Sequence, residues 1–596
     1  MMEDGKYRDP KEQDRAYADS IIAAIEADDR PGVMYKESRP ITDVKDMIES
    51  SAELFGDNVA FYQKYARGGH YETITYREML RRVNGLGTYL IGEGFQGERI
   101  AVIGPNCSEW AISYLAVLNG TGVVVPLDKE LNAEELEQLV IKADVSCVIY
   151  KGKKLGEVFT KMKDSGHTAL RRLIRMDADE WTAAVWRGQE MIEAGDRRFV
   201  DAQIDSQAMS ILLFTSGTTG VSKGVMLSHR NIAVDLMVSP TVLKVNDWDI
   251  FFSVLPLHHT YECTSGFLIP MYKGAAVAYC EGLKYLMKNM QEVRPTMFLG
   301  VPAIFETMYR RIWRTVRKAG KEKTLRRAIS VNRVLKKLHI DLSSKLFKDV
   351  LSVFGGRMRE LISGGAAISP EVMEGFRDFG INMLQGYGLT ECAPMGALNP
   401  DKMPKATSVG YPFPACKVKI IDKDEDGIGE ICLWGGNVML GYYEMPQETA
   451  EVLQDGWFHS GDLGYLDEDG YLIITGRKKN VIITKNGKNV FPEELEYYLQ
   501  EIPLISESMV FSEETSDGSD DTIVAALRLD PEEVQERCGQ GTDEAKIEQI
   551  VWEEIEKINE RQPFWKRIKK IIIRKDDFVK NTSNKIIRFA EGNKKK

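Results

Sequence analysis

The chain has 596 residues, of which 43% are hydrophobic and 28% charged, and its formal net charge is -11. This length predicts several domains, and the composition excludes a disordered, collagenous or disulfide-stapled protein. The acidic balance argues against general nucleic-acid binding, which needs a cationic surface. The eight cysteines form no CxxC pair and no apolar run reaches membrane-spanning length. We therefore expect a reducing, cytoplasmic location and no structural zinc site.

Residues 1–44 predict an N-terminal extension, with an amphipathic helix followed by an irregular stretch. From about residue 73, helices alternate with short apolar strands, which predicts parallel sheets with crossover helices. The predicted strands are Arg99 to Gly104, Gly122 to Pro126, Val145 to Tyr150 and Met209 to Phe214, followed by the runs FFSVLPL, AAVAYC, TMFLGVP, RELISGG and INMLQGYG. Ligands of such sheets bind where strands end, so the turns after these strands are candidate sites.

After Gly410 the pattern changes to the alternating runs KVKIID, GEICLWG and YLIITG, joined by Asp-Gly turns that favour hairpins. We interpret this segment as a small β-barrel-like region that completes a large domain of layered parallel sheets and helices, residues 45–478. Residues 479–596 predict a smaller, mobile α+β domain with its own core. The predicted fold class is therefore α/β with a C-terminal α+β lid.

A stretch rich in glycine and hydroxyl groups follows the strand that ends at Phe214. It reads Thr215, Ser216, Gly217, Thr218, Thr219, Gly220, Val221, Ser222, Lys223 and Gly224. Its glycines expose backbone N–H groups, its hydroxyls add donors and Lys223 adds a charge, which together predict a nest for phosphate oxygens. A P-loop NTPase would have Ser or Thr directly after the lysine, where this chain has Gly224. A flexible linker is the plainer alternative, although linkers rarely lie between a buried strand and another apolar segment.

This run resembles the phosphate-binding signature of the adenylate-forming enzymes, a superfamily of acyl-CoA synthetases, luciferases and peptide-synthetase adenylation domains. Further signatures follow in that family's order, from about residue 45 to residue 590. Gly364, Gly365 and Ala366 look like the adenine-contacting turn. The run Gln385, Gly386, Tyr387, Gly388, Leu389, Thr390 and Glu391 looks like the next motif, although singly these residues could form an ordinary turn beside a solvated carboxylate.

The resemblance implies ATP, Mg²⁺ and CoA as ligands and gives roles to these residues. Tyr387 is expected to stack on adenine, Thr390 to touch phosphate, and Glu391 with Thr215 to hold magnesium. Asp462 and Arg477 bracket a hairpin, where they suit ribose hydroxyls and phosphate oxygens, or else form a surface pair. The implied ATP-binding residues are Thr215, Ser216, Gly217, Thr218, Thr219, Gly220, Lys223, Gly364, Gly365, Ala366, Gln385, Gly386, Tyr387, Gly388, Thr390, Asp462, Arg477 and Lys585.

The C-terminal segment carries the family's remaining signatures. Lys479 matches the hinge position, although Lys478 could serve after a one-residue shift. Lys585 occupies the place of the catalytic lysine in a final motif that departs from the usual Pro-Lys-Thr-x-x-Gly-Lys-Ile-x-Arg, with Val579, Asn581 and Asn584 in place of Pro, Thr and Gly. Gly487 is expected to leave room for the phosphopantetheine arm of CoA. A basic tail is the plain alternative for the last motif.

The segments LPLHHTYE and LGVPAIFE look like the long-chain fatty acyl branch of the family. The resemblance places His259, Tyr261 and Gly365 beside an acyl pocket. Some long-chain members gate their tunnel with a Trp four residues after that His, and this chain has Cys263 there. The basic segment 310–337 predicts either a helix that contacts a membrane peripherally or a solvated charged face.

The sequence thus predicts a ligase that activates a medium- to long-chain fatty acid with ATP, releases pyrophosphate and transfers the acyl group from its adenylate to CoA. The predicted catalytic residues are Lys585, Glu391, Lys223 and Thr215. A fatty acyl-AMP ligase or a loader of acyl carrier protein would share every ATP residue and stays an alternative. A non-catalytic ATP sensor fits least, because Lys585 and Glu391 are both present. The sequence leaves the oligomeric state open.

Overall fold

A computed structural model describes residues 10–215, 222–484, 488–514, 521–539, 541, 543–580, 586–588 and 590–594 of the chain. Several residues predicted as functional lie outside these ranges: Ser216, Gly217, Thr218, Thr219, Gly220, Gly487 and Lys585. Their roles stay predictions from the sequence.

The α-helices are α1 Pro10–Ala27, α2 Val44–Leu54, α3 Tyr76–Gly92, α4 Ser108–Ala116, α5 Ala133–Lys142, α6 Lys153–Ser165, α7 Asp179–Glu193, α8 His229–Val238, α9 Ile269–Lys273, α10 Leu286–Val293, α11 Pro302–Lys318, α12 Glu322–Lys337, α13 Ser343–Leu346, α14 Lys348–Val353, α15 Pro370–Asp378, α16 Pro446–Val452, α17 Pro492–Leu499, α18 Pro531–Cys538 and α19 Glu544–Asn559. Short 3₁₀ turns include Thr390–Cys392 and Lys478–Asn480, and π-helical turns cover Val117–Thr121 and Tyr261–Leu268.

The strands are β1 Val59–Gln63, β2 Glu72–Thr75, β3 Arg99–Ile103, β4 Val123–Leu127, β5 Val145–Tyr150, β6 Arg172–Arg175, β7 Met209–Thr215, β8 Lys223–Ser228, β9 Ile250–Ser253, β10 Ala276–Tyr279, β11 Met297–Gly300, β12 Glu360–Ser363, β13 Asn382–Gly388, β14 Met395–Leu398, β15 Tyr411–Pro412, β16 Lys417–Ile421, β17 Gly429–Trp434, β18 Gly441–Tyr442, β19 Leu453–Gln454, β20 Trp457–Leu466, β21 Leu472–Arg477, β22 Ile482–Ile483, β23 Asn489–Val490, β24 Ile505–Glu514, β25 Asp521–Leu529 and β26 Lys570–Arg574. Each apolar run predicted as a strand between residues 99 and 388 overlaps one of these strands.

The chain divides into two compact units. The first unit comprises Met1–Ala366, Val372–Val418 and Leu433–Phe458, and the second comprises Ala367–Glu371, Lys419–Cys432 and His459–Lys596. This division passes through β16, β17 and β20, because parts of these strands belong to each unit. The predicted domain bounds of 45–478 and 479–596 stay a prediction.

Two large sheets form the framework of the first unit. The nine-stranded sheet has the order β15-β14-β13-β12-β11-β9-β10-β1-β2, and its strands from β13 to β1 run parallel. The seven-stranded sheet has the order β18-β8-β7-β4-β3-β5-β6, with parallel pairing from β7 to β6. Strands such as β5 and β12 are buried along their whole length, as parallel strands covered on both faces should be.

The segment predicted as an N-terminal extension packs onto the first unit over its described residues. Ile21 and Ile25 of α1 are buried. Asp14 lies 2.8 Å from the guanidinium of Arg230 and accepts a hydrogen bond of 2.6 Å from Ser206 Oγ. The helix therefore belongs to the first unit through both apolar and charged contacts.

The second unit carries its own core. A three-stranded sheet pairs β24 with β25 antiparallel and β25 with β26 parallel. Residues Leu495, Leu499, Val551 and Ile555 of α17 and α19 are buried in its hydrophobic cluster.

The β-rich region between residues 417 and 477 is a five-stranded sheet with the order β16-β17-β20-β19, and β21 pairs with β20. This order has free ends, so the described residues form an open sheet there.

Candidate functional site

The predicted adenine turn and the Gln-Gly-Tyr-Gly motif lie side by side in the first unit. Ser363 at the end of β12 and Gln385 in β13 are register partners in parallel strands. The backbone leaves β12 through Gly364, whose N–H donates to Gly300 O at 3.1 Å, and Gly365, whose φ of +83° favours glycine. The structure thus brings both turns to the same edge of the nine-stranded sheet, where ligands of parallel sheets bind.

The turn after β13 carries Thr390 and Glu391. A Cβ atom at Gly388 would lie 1.7 Å from Pro394 O, so only glycine allows the chain to close on itself here. Leu389 N–H donates to the same oxygen at 2.9 Å. The Tyr387 ring packs within 3.0 Å of the position that a Cβ of Gly396 would take. This tight closure fixes the backbone on which Thr390 and Glu391 stand.

Tyr442 connects Glu391 to the lysine of the phosphate-loop motif. Its hydroxyl donates to Glu391 Oε1 at 2.8 Å, and Lys223 Nζ lies 4.6 Å from the centre of its ring. Burial raises the pKa of Tyr442, so this phenol stays a donor at neutral pH. Lys223 is the register partner of Thr215, whose hydroxyl donates to Lys223 O at 3.4 Å. Tyr442 therefore contacts two predicted catalytic residues, Lys223 and Glu391, and the third, Thr215, is paired with Lys223.

A buried polar network holds the loop that bears Glu391. Asn437 Nδ2 lies 2.9 Å from Asp235 Oδ1, 2.7 Å from Met395 O and 3.2 Å from Cys392 O. Asp235 also accepts a hydrogen bond of 3.1 Å from Met395 N–H. Burial raises the pKa of Asp235 well above its usual range. Because each partner satisfies a buried group, loss of Asn437 would leave several unpaired.

The predicted acyl-pocket residues Tyr261 and Gly365 lie near the adenine turn. The Tyr261 ring packs against Gly364, at 2.8 Å from the position of an added Cβ, and its hydroxyl donates to Ile362 O at 2.9 Å. Replacing the neighbouring Gly364 with a larger residue would therefore displace this ring. The ring centre of His259 lies 4.2 Å from that of His258, and the two ring planes are tilted by 44°.

An apolar cavity opens next to these residues. Its wall includes His258, Thr260 and Cys263. Its other lining residues include Tyr114, Leu213, Leu227 and Ile232. The acyl-pocket role of His259, Tyr261 and Gly365 stays a prediction. Burial lowers the pKa of His258 well below its usual range, which keeps this ring neutral. Cys263, which stands where some long-chain members are expected to carry a gating Trp, is one of the lining residues.

The second unit brings Asp462 and Arg477 together. They are register partners across the β20–β21 hairpin, and Arg477 Nε lies 2.8 Å from Asp462 Oδ1. The side chain of Asp462 is only 5% exposed, whereas that of Arg477 is 40% exposed. A buried carboxylate beside a half-exposed guanidinium presents acceptors and donors to a polar ligand.

The proposed hinge lies directly after this pair. Lys479 stands in the 3₁₀ turn Lys478–Asn480, and burial with the nearby charge of Arg477 lowers its pKa. The adjacent Lys478 forms an ion pair of 2.8 Å with Glu430. The strands β22 and β23 flank residues 485–487, and Thr484 N–H donates to Lys488 O at 3.0 Å.

Comparisons with known proteins agree with this architecture. The profile of the AMP-binding enzyme family matches residues 48–443, and that of the AMP-binding enzyme C-terminal domain matches residues 479–591. The chain belongs to the AMP-binding enzyme family. The resemblance found in the sequence is thereby confirmed.

Two relatives illustrate where the chain lies within this family. It is 31% identical over 546 residues to "Long chain acyl-CoA synthetase 1" of Arabidopsis thaliana, covering 83% of this chain and 80% of that protein. It is 29% identical over 505 residues to the rat "Long-chain-fatty-acid--CoA ligase ACSBG2", covering 79% of this chain and 75% of the relative.

Solved structures share the fold. The anthranilate CoA ligase AuaEII in complex with anthranoyl-AMP superimposes with a TM-score of 0.73 at 18% identity, over 94% of this chain and 96% of that one. ATP-bound MatB from Rhodopseudomonas palustris gives 0.69 at 24% identity, over 92% and 97%. The predicted fold class, a large α/β domain with a smaller C-terminal domain, is confirmed.

The sequence interpretation missed Tyr442, Asp235 and Asn437. Local signals existed for two of them, because Asn437 follows a pair of glycines and Tyr442 follows Gly441. Asp235 lies in the middle of an apolar helix, where a single carboxylate carries no motif. Only the three-dimensional meeting of α8, the Glu391 turn and β18 reveals what these residues do.

Proposed function

We propose that this protein activates a medium- to long-chain fatty acid with ATP, forming an acyl-adenylate and pyrophosphate, and then transfers the acyl group to CoA. The observation that carries this proposal is that Tyr442 contacts both Glu391 and Lys223, and that Lys223 is the register partner of Thr215. The names of the relatives support the substrate class, since they act on long-chain fatty acids by name.

The first half-reaction needs charge compensation, because a carboxylate and a triphosphate repel each other. Lys223 would leave the face of the Tyr442 ring and bind phosphate oxygens, with the hydroxyl of Thr215 as a further donor. The carboxylate oxygen of the fatty acid attacks the α-phosphorus in line, and the bond to the bridging oxygen of pyrophosphate breaks. Lys585 would stabilise the charge that develops on the α-phosphate.

The residues present fit a magnesium ion that arrives with the nucleotide. In the described ranges, no group of three or more His, Cys, Asp and Glu side chains converges. Mg²⁺ in nucleotide sites commonly uses one or two carboxylates together with substrate phosphates and water, so Glu391 with Thr215 suffices. When bound, the ion neutralises phosphate charge. Tyr442 would hold the Glu391 carboxylate in position for it.

The second half-reaction uses the C-terminal segment. The chain would turn about Lys479, and the loop with Gly487 would admit the phosphopantetheine thiol. The thiolate attacks the acyl carbonyl carbon, and AMP leaves with the electron pair of the acyl-oxygen bond. Asp462 and Arg477 would bind the ribose hydroxyls and the phosphate through both steps.

A pyrophosphate-release assay tests the proposal. Purified protein is given ATP, Mg²⁺ and carboxylic acids from acetate to oleate, with and without CoA. We expect acid-dependent release with the highest specificity constants for medium to long chains, and acyl-CoA as the product. Absence of release with every acid would overturn the adenylation claim, and a clear preference for acetate would overturn the substrate class. Release without a thioester would favour the fatty acyl-AMP ligase or carrier-protein alternative.

A further inference from the structure

The outward face of α12 is apolar. Val331, Val334 and Leu338 are 55%, 61% and 64% exposed, and their spacing of three and four residues places them on one side of the helix. Ile329 and Asn332 are buried on the opposite side. Helices of globular proteins normally bury their apolar stripe. Here the helix docks by one face and presents a second apolar stripe to the solvent.

Polar contacts hold this helix in its orientation. Asn332 Nδ2 donates to Ser343 Oγ at 2.9 Å, and Asn332 Oδ1 accepts from Leu342 N–H at 3.1 Å. Arg333 forms two hydrogen bonds of 2.6 Å with the carboxylate of Asp378. The same contacts orient the turn that exposes Ile340 and Leu346, which are 47% and 42% exposed. These contacts therefore fix which side of α12 faces the solvent.

The charge around this stripe opposes that of the whole chain. Residues 310–348 contain 14 Lys and Arg but only two acidic residues, within a chain whose net charge is -11. Arg327 lies one helical turn before Val331 and Lys337 directly precedes Leu338; both are exposed, as is Lys345 of α13. In the described ranges, no helix combines the length and the hydropathy needed to cross a bilayer. Any lipid contact of a described helix would therefore be interfacial.

We propose that the α12 face, defined as Arg327, Val331, Val334, Lys337, Leu338, Ile340, Lys345 and Leu346, docks onto an anionic phospholipid surface. Aliphatic side chains ringed by Lys and Arg suit the boundary of headgroups and acyl chains, because the apolar groups insert while the cations bind lipid phosphates. Protein interfaces instead favour aromatic side chains at their centre and are depleted in Lys. Docking would place the enzyme where fatty acids partition. That benefit rests on the proposed function, whereas the binding does not.

Vesicle co-sedimentation of the full chain tests this surface. We expect the protein to bind vesicles of mixed phosphatidylcholine and phosphatidylglycerol and not vesicles of phosphatidylcholine alone. Binding should weaken steeply toward about 1 M salt, where the screening length falls to about 3 Å. The triple variant Arg327→Gln, Lys337→Gln, Lys345→Gln should lower the partition coefficient by roughly 100-fold.

Two further variants keep the test specific. Val331→Gln, Val334→Gln, Leu338→Gln removes the apolar stripe with a residue of better helix propensity than valine, so the helix should persist while binding falls by roughly tenfold or more. Lys153→Gln, Lys154→Gln, Lys161→Gln makes the same charge change on exposed residues of α6 and should bind as the unaltered chain does. Pyrophosphate release without vesicles should be equal in all of them.

Three results would overturn the proposal. These are equal binding to both vesicle types, no binding to either, or an equal loss in the α6 control and the α12 variants. A chain that binds an acidic carrier protein through the α12 face but no vesicle would also contradict it. A catalytically inactive chain that still shows the expected vesicle binding would leave this proposal standing and would overturn only the proposed function.

Discussion

The two units differ in how they arrange the acidic and basic side chains of their predicted site residues. In the first unit, Glu391 accepts a hydrogen bond from the neutral hydroxyl of Tyr442, and Lys223 lies on the face of the same ring. In the second unit, Asp462 and Arg477 form a direct ion pair of 2.8 Å. The first arrangement separates its charges by an aromatic ring, and the second joins them.

This difference has a chemical consequence. A carboxylate fixed by a phenol keeps its negative charge for a metal ion, and a lysine on a ring face keeps its positive charge for phosphate. An ion pair is neutral as a unit and suits neutral hydroxyl groups, such as those of a ribose. The ring of Tyr442 thus prevents the self-neutralisation that a direct pair of Lys223 and Glu391 would cause.

The largest expected effect lies at Lys585, which belongs to neither group. Lys585→Ala should slow adenylate formation by roughly two to four powers of ten, since it removes about 3 to 5 kcal/mol of transition-state stabilisation. Thioester formation from a supplied acyl-adenylate should stay nearly unchanged. Rapid-quench measurement of each half-reaction checks this.

The matched variant for the other half-reaction is Gly487→Leu. It should spare adenylation and block the approach of the thiol. If both substitutions slowed the same half-reaction equally, the segment at Lys479 would not act as a hinge. Both half-reactions would then take place in one conformation of the chain.

Tyr442 tests the comparison itself. Tyr442→Phe keeps the ring under Lys223 but removes the donor to Glu391, and we expect about a tenfold slower adenylation with a higher Mg²⁺ requirement, because a hydrogen bond to a charged group is lost. Tyr442→Leu also removes the ring and should slow adenylation about a hundredfold. Magnesium titrations of single-turnover adenylation measure both.

The control is Tyr443→Phe, because Tyr443 pairs with a different carboxylate, Glu444, and its ring lies 5.5 Å from the guanidinium carbon of Arg99. This variant should keep the rate and the Mg²⁺ dependence of the unaltered enzyme. An unchanged Mg²⁺ requirement in Tyr442→Phe would show that Glu391 does not depend on the phenol.

Substitutions of Arg477 test the role of its ion pair with Asp462. Arg477→Ala should raise the KM for ATP about fivefold with a smaller change in kcat, because a ground-state contact to the nucleotide is lost. Arg477→Lys should lie between, since it restores the charge without the planar fork. Initial rates over a range of ATP concentrations decide this, and an effect on kcat alone would contradict a binding role.

The smallest expected effect concerns a buried glutamate, Glu262, which belongs to neither of the two groups compared above. Glu262 is buried, and burial raises its pKa to about 8 from 4.5, with Ser253 offsetting part of the shift. The folded chain therefore holds this proton more tightly than the unfolded chain, so stability falls as pH rises from 4.5 to about 8. Glu262→Gln removes this dependence.

Thermal unfolding at several pH values measures the effect. The Tm of Glu262→Gln relative to the unaltered chain should rise by about 2 to 5 °C between about pH 6 and about pH 9. Glu425→Gln, at a carboxylate whose side chain is 92% exposed, is the control and should show no such trend. A pH-independent difference would mean that Glu262 is ionised in the folded chain.

The sequence predicted those parts of the molecule that follow local rules. Short apolar runs that end in glycine predicted the parallel strands, and the Asp-Gly turns predicted the hairpin that pairs Asp462 with Arg477. The turn at Gly388 was placed by its motif, although its cause, the close approach of Pro394 O, needed the structure.

The rest depends on contacts between residues far apart in the chain. Tyr442 meets Glu391 only because β18 pairs with β8, and Asp235 meets Asn437 across 202 positions. The cavity wall likewise joins His258 and Cys263 to Tyr114 and Leu213, which are far from them in the sequence. Motif spacing fixes which turn a residue occupies, but not which neighbour its side chain reaches.

An isotope-transfer experiment tests adenylation most directly. The protein is given a fatty acid labelled with ¹⁸O in both carboxylate oxygens, together with ATP, Mg²⁺ and CoA, and the products are analysed by mass spectrometry. If the carboxylate attacks the α-phosphorus, each AMP formed carries one ¹⁸O atom and the pyrophosphate carries none. Label in inorganic phosphate or pyrophosphate, or AMP without label, would contradict activation through an acyl-adenylate.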